Sequence, residues 1–324
     1  MARRDAALQA TLAGLGKVRG APTATDSLAL LKRVLAGKSS HAAAKAAEIA
    51  AEFEIDALVP DMVAAFHRLL VQPVRGDPGC AGKAAIANAL YRIGAAEVDI
   101  YLKGIRHVQL EPVWGGKADT ATALRGTCGL ALVRVHYHDY LSELADLLAD
   151  REAPARKMAA QALGYSENAG AVPLLRLKAL VGDEDPQVLS ECLLALLQIA
   201  ADGAIAFVAR FLERPEPQIA EAAALALGAS RLRAALGVLT GWWERTFDVG
   251  LRRSALLAIA TLKHDDAIAY LLGHIADSAP VHARDALSAL GVFRHDARLR
   301  AQVEAVVQRR GDAGVTAAFA AAFN

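Results

Sequence analysis

The sequence predicts an all-α fold, an α-α superhelix of about eight helical pairs, from three observations. A ten-residue pattern, clearest at 155–164 as A-R-K-M-A-A-Q-A-L-G, begins again near residues 124, 188, 219, 251 and 282. Successive starts lie 31 to 33 residues apart, a period typical of solenoids with two helices per repeat. Strand signals are poor, because alternating β-branched runs and hairpin dipeptides are scarce.

The ten-residue pattern has the spacing of one helix face. When its first residue is counted as zero, positions 0, 4, 5, 7 and 8 are apolar or small in nearly every copy. Neighbouring small residues such as Ala159 and Ala160 allow another helix to approach closely. Gly164, Gly228 and Gly291 end three copies, and we expect them to end helices in the left-handed conformation that glycine adopts readily.

Helices are predicted from this apolar spacing, from capping residues and from the Pro and Gly breaks between them. They cover residues 2–18, 26–36, 41–53, 58–70, 81–93, 97–107, 119–135, 139–149, 155–164, 171–181, 188–200, 204–213, 219–229, 234–245, 251–262, 267–276, 282–292, 297–309 and 315–323. Residues 1–78 are expected to form a less regular N-terminal helical region with one or two degenerate repeats. Residues 79–324 are expected to form a regular array with a long loop at 107–118 and a C-terminal capping helix.

Composition limits the classes of function. The chain has 324 residues, of which 54% are hydrophobic and 5% aromatic, and this suits many thin helix contacts. Its 36 basic and 35 acidic residues give a net charge of +1, which argues against nucleic acid as a partner. The three cysteines, Cys80, Cys128 and Cys192, lack metal-binding spacing and are interpreted as buried reduced thiols.

Targeting signals are weak. The N-terminal residues do not form the sustained apolar core of a signal peptide, because Asp5 and Gln9 interrupt it. The longest apolar stretch, at 192–212, contains Asp202 and Arg210, so no membrane span is predicted. A cytoplasmic protein is the resulting expectation.

The repeats resemble a known family. The pattern D-x-P-x-V-x-x-x-x-A-x-x-A-L-G resembles HEAT repeats, in particular the short bacterial form named after phycobilisome lyases. The resemblance covers about residues 81–310, and 40–70 more weakly. It implies a HEAT-like, armadillo-like α-solenoid in which the ten-residue helix of each repeat lines the concave face. It does not imply one activity, since such repeats occur in scaffolds, inhibitors, lyases and a few enzymes.

The period fails once, between the starts at residues 82 and 124. The excess is the segment 107–118, H-V-Q-L-E-P-V-W-G-G-K-A, which contains Glu111 and Trp114. One interpretation is a loop that folds over a helix and buries Trp114. The other is a binding loop, since long loops in compact repeats are often functional and Trp commonly anchors interfaces. Gly115 and Gly116 would then let backbone N–H groups face an anion.

Variable positions of the ten-residue pattern are expected on the concave face. The N-terminal half of this row is basic, with Lys83, Arg92, Arg125, Arg156 and Lys157, and it also contains Gln161 and Tyr165. In one interpretation the basic residues pair with an Asp in a neighbouring turn, such as Arg156 with Asp150 or Asp183. In the other they line a groove for an acidic peptide or another anion.

Other candidate chemistry is sparse. His136 and His138 form an H-x-H pair, but a metal site needs a third ligand. No His is followed by Glu, so the di-iron pattern of deoxyhypusine hydroxylases is missing. Of the adjacent Trp242 and Trp243, we expect one to pack inward and the other to be partly exposed. No catalytic residue, metal ligand or cofactor is therefore assigned.

Three functions remain open. The first is a non-enzymatic scaffold or adaptor that binds a protein or peptide on the concave face. The residues assigned to that binding are Trp114, Glu111, Arg92, Arg125, Arg156, Lys157, Gln161 and Tyr165. The alternative is a lyase or other enzyme that modifies a protein-bound small molecule in the same groove. The third is nucleic-acid binding without sequence preference, whose affinity would fall steeply with salt.

Overall fold

The computed structural model describes the backbone of residues 2–323 and the side chains of residues 8–323. It confirms the all-α class and the HEAT-like pairing of helices, with one two-stranded sheet inserted among the described residues. The chain divides into two compact units, the first ending at Ser166 and the second beginning at Glu167. The predicted boundary near residue 78 concerns the regularity of the repeats and stays a prediction.

The first unit contains ten helices and two strands within its described residues. They are α1 Ala2–Val18, α2 Thr25–Leu35, α3 Ser40–Glu52, α4 Val59–Val71, α5 Pro73–Gly76, α6 Ala81–Ile93, α7 Val98–Ile105, β1 Leu110–Val113, β2 Gly116–Asp119, α8 Thr122–Arg134, α9 Tyr140–Leu148 and α10 Ala153–Tyr165. Helices α3, α6, α8 and α10 pack in succession, and α4, α7 and α9 pack against members of that row. The helix faces that the ten-residue pattern marks with small and apolar residues therefore form the interior of this unit.

The second unit contains the helices that follow Glu167. They are α11 Val172–Val181, α12 Pro186–Ala200, α13 Asp202–Ala209, α14 Pro217–Ser230, α15 Ala235–Arg245, α16 Val249–Leu262, α17 Asp265–Asp277, α18 Pro280–Leu290, α19 Ala297–Arg310 and α20 Ala313–Phe323. Helices α12, α14, α16 and α18 pack in succession, and α20 packs against α18 and α19. Consecutive helices form three pairs in the first unit (α3 with α4, α6 with α7, α8 with α9) and four in the second (α12 with α13, α14 with α15, α16 with α17, α18 with α19), close to the predicted number of about eight.

The glycines that end the ten-residue pattern do not have the predicted role. Gly164 and Gly228 lie inside α10 and α14, and Gly291 has a φ of −59°, so the prediction of left-handed helix ends there was wrong. The left-handed conformation falls instead on Arg231, just after α14. A Cβ on Gly228 would collide with the carbonyl oxygen of Ala258, because α14 and α16 approach closely there. Gly228 is therefore required because α14 and α16 are too close for a side chain at this position.

The expected loop at 107–118 contains a β-hairpin. Strand β1 pairs with β2 in antiparallel register, from Leu110 opposite Asp119 to Val113 opposite Gly116. The turn consists of Trp114 and Gly115, and the φ of 86° at Gly115 is the positive value that a type II turn needs at its second central residue. The strands were missed because they are four residues long and lack β-branched alternation.

Both tryptophans of α15 are buried, so the expectation that one would be partly exposed was wrong. Trp243 packs edge-on against His274 and His282, with ring centroids 4.5 Å and 5.3 Å away. The guanidinium of Arg252 lies 4.8 Å from the centre of the Trp243 ring. These neighbouring side chains cover Trp243 and explain why it is not exposed.

All three cysteines are buried, as predicted. No helix in the described part of the chain is long and apolar enough to cross a membrane.

Candidate functional site

The hairpin carries the most exposed large hydrophobic side chain in the described part of the first unit. Trp114 is fully exposed at its tip, with a relative exposure of 102%. Val108, Leu110 and Val113 are each at least half exposed. We call these four residues the hairpin surface. The interpretation in which the segment buries Trp114 against a helix was therefore wrong.

Glu111 fixes the hairpin to the segment before α6. One of its carboxylate oxygens, Oε1, accepts hydrogen bonds from the backbone N–H of Gly79 at 2.6 Å and the Gln109 side-chain amide at 2.6 Å. It also accepts one from the Thr120 hydroxyl at 2.9 Å. Glu111 is half-buried and contacts the body of the unit, whereas its strand neighbours Leu110, Pro112 and Val113 are exposed.

Gln109 and Asp77 continue this contact into the interior. Gln109 is buried, and its side-chain amide donates to the carbonyl oxygen of Asp77 at 2.8 Å. The Asp77 carboxylate is also buried and accepts from the backbone N–H groups of Gly82 at 2.7 Å and Lys83 at 2.9 Å. The Lys83 ammonium lies 2.9 Å from the same carboxylate and is itself completely buried. The prediction that Lys83 lies on an open concave face was therefore wrong.

Arg125 joins the hairpin to two helical repeats. It is only 2% exposed, and its Nη1 donates to Asp119 at 2.7 Å and to the carbonyl oxygen of His107 at 2.9 Å. Its Nη2 donates to Asp150, in the turn between α9 and α10, at 2.9 Å, and its Nε lies 2.8 Å from the other Asp150 oxygen. We call Asp77, Lys83, Gln109, Glu111, Asp119, Arg125 and Asp150 the polar clamp. Arg125 therefore positions the hairpin and does not offer its charge to a partner.

The charges of the polar clamp are held by hydrogen bonds. The pKa of Glu111 lies below its usual value, first because Gln109 donates to the carboxylate and then because Gly79 does. Burial raises the pKa of Asp119, but hydrogen bonds from Ala121, Gln109 and Arg125 outweigh it and the net pKa is lowered. Burial lowers the pKa of Arg125, and hydrogen bonds to Asp150 and Asp119 reverse this to a raised pKa. All three groups therefore remain charged at neutral pH.

Two other titratable groups near the polar clamp are kept neutral. Burial lowers the pKa of His107. Burial also raises the pKa of the Cys80 thiol to about 12, so this cysteine stays protonated at neutral pH. Since the thiolate is the nucleophilic form, Cys80 is not suited to nucleophilic catalysis.

Acidification is expected to loosen the hairpin. Glu111 and Asp119 have folded-state pKa values below their unfolded values of about 4, so their stabilisation is complete above that pH and is lost as the pH falls through the folded pKa. His107 has a folded pKa below its unfolded value of about 6.5, so its protonation begins to oppose folding as the pH falls below about 6.5. Hydrogen exchange of peptides spanning 107–120, corrected for intrinsic rates, is expected to show two successive losses of protection.

A Glu111→Gln variant separates the two losses. It is expected to be less protected than the wild type at neutral pH and to lack part of the decline near pH 4, while the His107 phase is unchanged. Equal exchange profiles of the variant and the wild type would show that the Glu111 carboxylate does not hold the hairpin.

The other sequence-predicted residues are dispersed over α6 and α10. Arg92 is exposed in the last turn of α6, and Tyr165 is exposed at the end of α10. Arg156 donates to the carbonyl oxygens of Asp150 and Arg151, both at 2.9 Å. Lys157 and Gln161 are half-buried and also have partners in the fold. The predicted pairing with a turn aspartate is confirmed for Arg125, which contacts the Asp150 carboxylate. Arg156 contacts the same turn through backbone carbonyl oxygens, so its predicted pairing with an Asp side chain stays a prediction.

Metal binding has no geometric support among residues 8–323. No group of three or more His, Cys, Asp or Glu residues in that range is placed to hold a metal ion. His136 lies in a left-handed turn with a φ of 52°, and His138 packs edge-on against Tyr137 at 4.6 Å.

Comparison with known proteins gives a faint likeness. No family model matches the chain, and no curated protein matches it in sequence. One similar solved structure is the complex of CpcE and CpcF of phycocyanin lyase from Nostoc sp. PCC7120, with 21% identity, a TM-score of 0.36, and coverage of 71% of this chain and 89% of that one. Another is human deoxyhypusine hydroxylase in complex with glycerol, with 20% identity, a TM-score of 0.31, and coverage of 80% and 91%. Likeness at this level does not bear on activity.

Proposed function

We propose that this protein is a non-enzymatic cytoplasmic adaptor that binds a protein partner through the hairpin surface. The observation that carries the proposal is the full exposure of Trp114 on a hairpin whose base is buried and hydrogen-bonded. Trp is one of the residue types enriched among those that dominate binding energy at protein interfaces. A large apolar side chain on a free surface is stabilised when a partner removes it from water.

The polar clamp makes the hairpin a better binding element than a free loop. Isolated two-stranded hairpins are marginally stable in water, so this one depends on its base for its conformation. Glu111 and Arg125 tie that base to the segment before α6 and to the turn after α9. A recognition element that is already ordered loses less conformational entropy on binding, which raises affinity.

The proposal shifts the predicted groove toward the hairpin. Trp114 is proposed as the central contact with the partner. Glu111 and Arg125 are proposed to act indirectly, because they hold the base of the hairpin in place. Arg92 and Tyr165 are exposed and are proposed as peripheral contacts, whereas Arg156, Lys157 and Gln161 are proposed to act mainly through the fold. For the enzymatic alternative, Cys80 is not proposed as a nucleophile, because it is buried and protonated.

Affinity capture from the native cell with matched variants tests the proposal. Trp114→Ser is expected to lose a partner that the wild type retains. The dissociation constant for that partner is expected to rise by at least about 30-fold, which corresponds to about 2 kcal/mol of binding free energy. Phe247→Ser is the control, because Phe247 is another exposed aromatic residue, in the second unit, and is expected to retain the partner. Identical partner sets and affinities for both variants would refute the proposal.

A further inference from the structure

A groove at the N-terminal end of the first unit lies apart from the hairpin surface. Its volume is about 930 Å³, and it is lined by residues of α1, α2, the turn before α3, the first turn of α3, and α5. Leu8, Leu30 and Val34 are apolar lining residues, and we call the apolar part of the lining its floor. A volume of this size falls within the range of about 300–1,000 Å³ that small-molecule sites occupy.

The charged residues in the described lining of this groove all have the same sign. Arg33, Lys38 and Arg75 line it, and no Asp or Glu is among its described lining residues. All three are exposed, and none of them has a hydrogen bond or ion pair within residues 8–323. In a chain with a net charge of +1, three cations that have no partner among residues 8–323 form a local anion-attracting surface around this groove.

The start of α3 adds to the same field. Ser39 and Ala42 line the groove, and the Ser39 hydroxyl accepts a hydrogen bond from the backbone N–H of Ala42 at 3.3 Å. The N–H groups of Ser40 and His41 lie in the first turn, where a helix offers them no acceptor. The positive end of this 13-residue helix therefore favours an anion in the groove, as the three cations do.

We propose that this groove binds a single-chain anionic amphiphile. Its aliphatic chain lies on the apolar floor, and its carboxylate or phosphate head group lies among Arg33, Lys38 and Arg75. The apolar floor excludes a fully polar anion as the best ligand, and the sign of the rim excludes a cationic head group. This binding is independent of the partner proposed for the hairpin surface.

Calorimetric titration of the full chain with defined amphiphiles tests the proposal. Dodecanoate, kept below its micelle concentration, is expected to bind saturably at one site per chain. It is expected to bind at least about tenfold more tightly than dodecyltrimethylammonium, because only the carboxylate gains charge-assisted hydrogen bonds from the rim. Octanoate is expected to bind more weakly than dodecanoate, because it buries fewer methylene groups. Absence of saturable dodecanoate binding, or equal binding of both head-group charges, would overturn the proposal.

Two sets of variants assign the binding to this groove. The triple variant Arg33→Gln, Lys38→Gln, Arg75→Gln is expected to weaken dodecanoate binding at least about tenfold. Gly14→Leu places a side chain in the groove, since a Cβ at Gly14 would be 3.5 Å from Leu30, and it is expected to block the aliphatic chain. Gly16→Leu is the control, because it lies on the same helix and outside the groove's lining, and it is expected to bind like the wild type. Unchanged affinity in the triple variant or in Gly14→Leu would contradict the proposal.

Discussion

Replacing Arg125 with Ala is expected to lower the free energy of unfolding of the first unit by about 3–5 kcal/mol, the usual effect of breaking a buried ion pair. The variant leaves Asp119, whose side chain is only 5% exposed, without its cation, and it also removes the contact with Asp150. It therefore breaks the link between the hairpin and the turn after α9. Urea denaturation followed by circular dichroism, with hydrogen exchange to locate the loss, measures the effect.

Arg19→Ala is the matched control for this experiment. Arg19 also pairs with a carboxylate of the first unit, Glu52, at 2.9 Å, but both side chains are largely exposed. Exposed pairs of this kind contribute about 0–1 kcal/mol. If Arg125→Ala were no more destabilising than Arg19→Ala, the polar clamp would not be a stabilising centre of this unit.

Replacing Gly228 with Ala is expected to destabilise the second unit by up to about 2 kcal/mol. A helical Gly→Ala change normally gains about 1 kcal/mol, whereas forcing atoms into a packed interface costs about 1–3 kcal/mol and occasionally more. The added Cβ would lie 2.7 Å from the Cα of Ala258 and closer still to its carbonyl oxygen. Because these are backbone atoms of α16, the collision is relieved only by moving a helix.

Gly237→Ala is the control for Gly228→Ala, since Gly237 lies in α15 and nothing is within 4 Å of the position of its Cβ. It is expected to raise the free energy of unfolding by about 0.5–1 kcal/mol, so the two changes should have opposite signs in thermal and urea denaturation. A stabilising Gly228→Ala would mean that α14 and α16 are farther apart than described.

The repeat fold was predictable because its signal is spread along the chain. Each copy of the ten-residue pattern repeats the same requirement for small residues at a helix contact, as at Ala159 and Ala160, which are both buried. The role of Gly228 was not predictable in the same way. A glycine after a helical pattern fits a helix end and a close helix contact equally well, and only the position of Ala258 decides between them.

The candidate site was predictable in location but not in form. The irregular spacing of the repeats pointed to the segment 107–118, and Trp114 was its main candidate for a binding contact. The hairpin was missed because short strands that pair only with each other give almost no periodic signal. The exposure of Trp114 depends on how the base is held, and that is decided by contacts across the sequence, such as Gly79 with Glu111.

Within the polar clamp, only some of the contacts could be predicted from the sequence. The pairing of Arg125 with a turn aspartate follows from its position in the repeat, and this interpretation was available from the sequence. Gln109 and Asp77 carried no such signal, because their hydrogen bond joins two irregular segments that are 32 residues apart.

Site-specific photocrosslinking in the native cell tests the central claim most directly. A photoreactive phenylalanine analogue is placed at position 114, and in a separate variant at position 247, where the natural residue is also an exposed aromatic. Binding through the hairpin surface predicts a light-dependent covalent adduct with a partner protein at position 114 and none with that partner at position 247. Absence of any adduct at position 114, in a variant that retains the hydrogen-exchange protection of the hairpin, would contradict it.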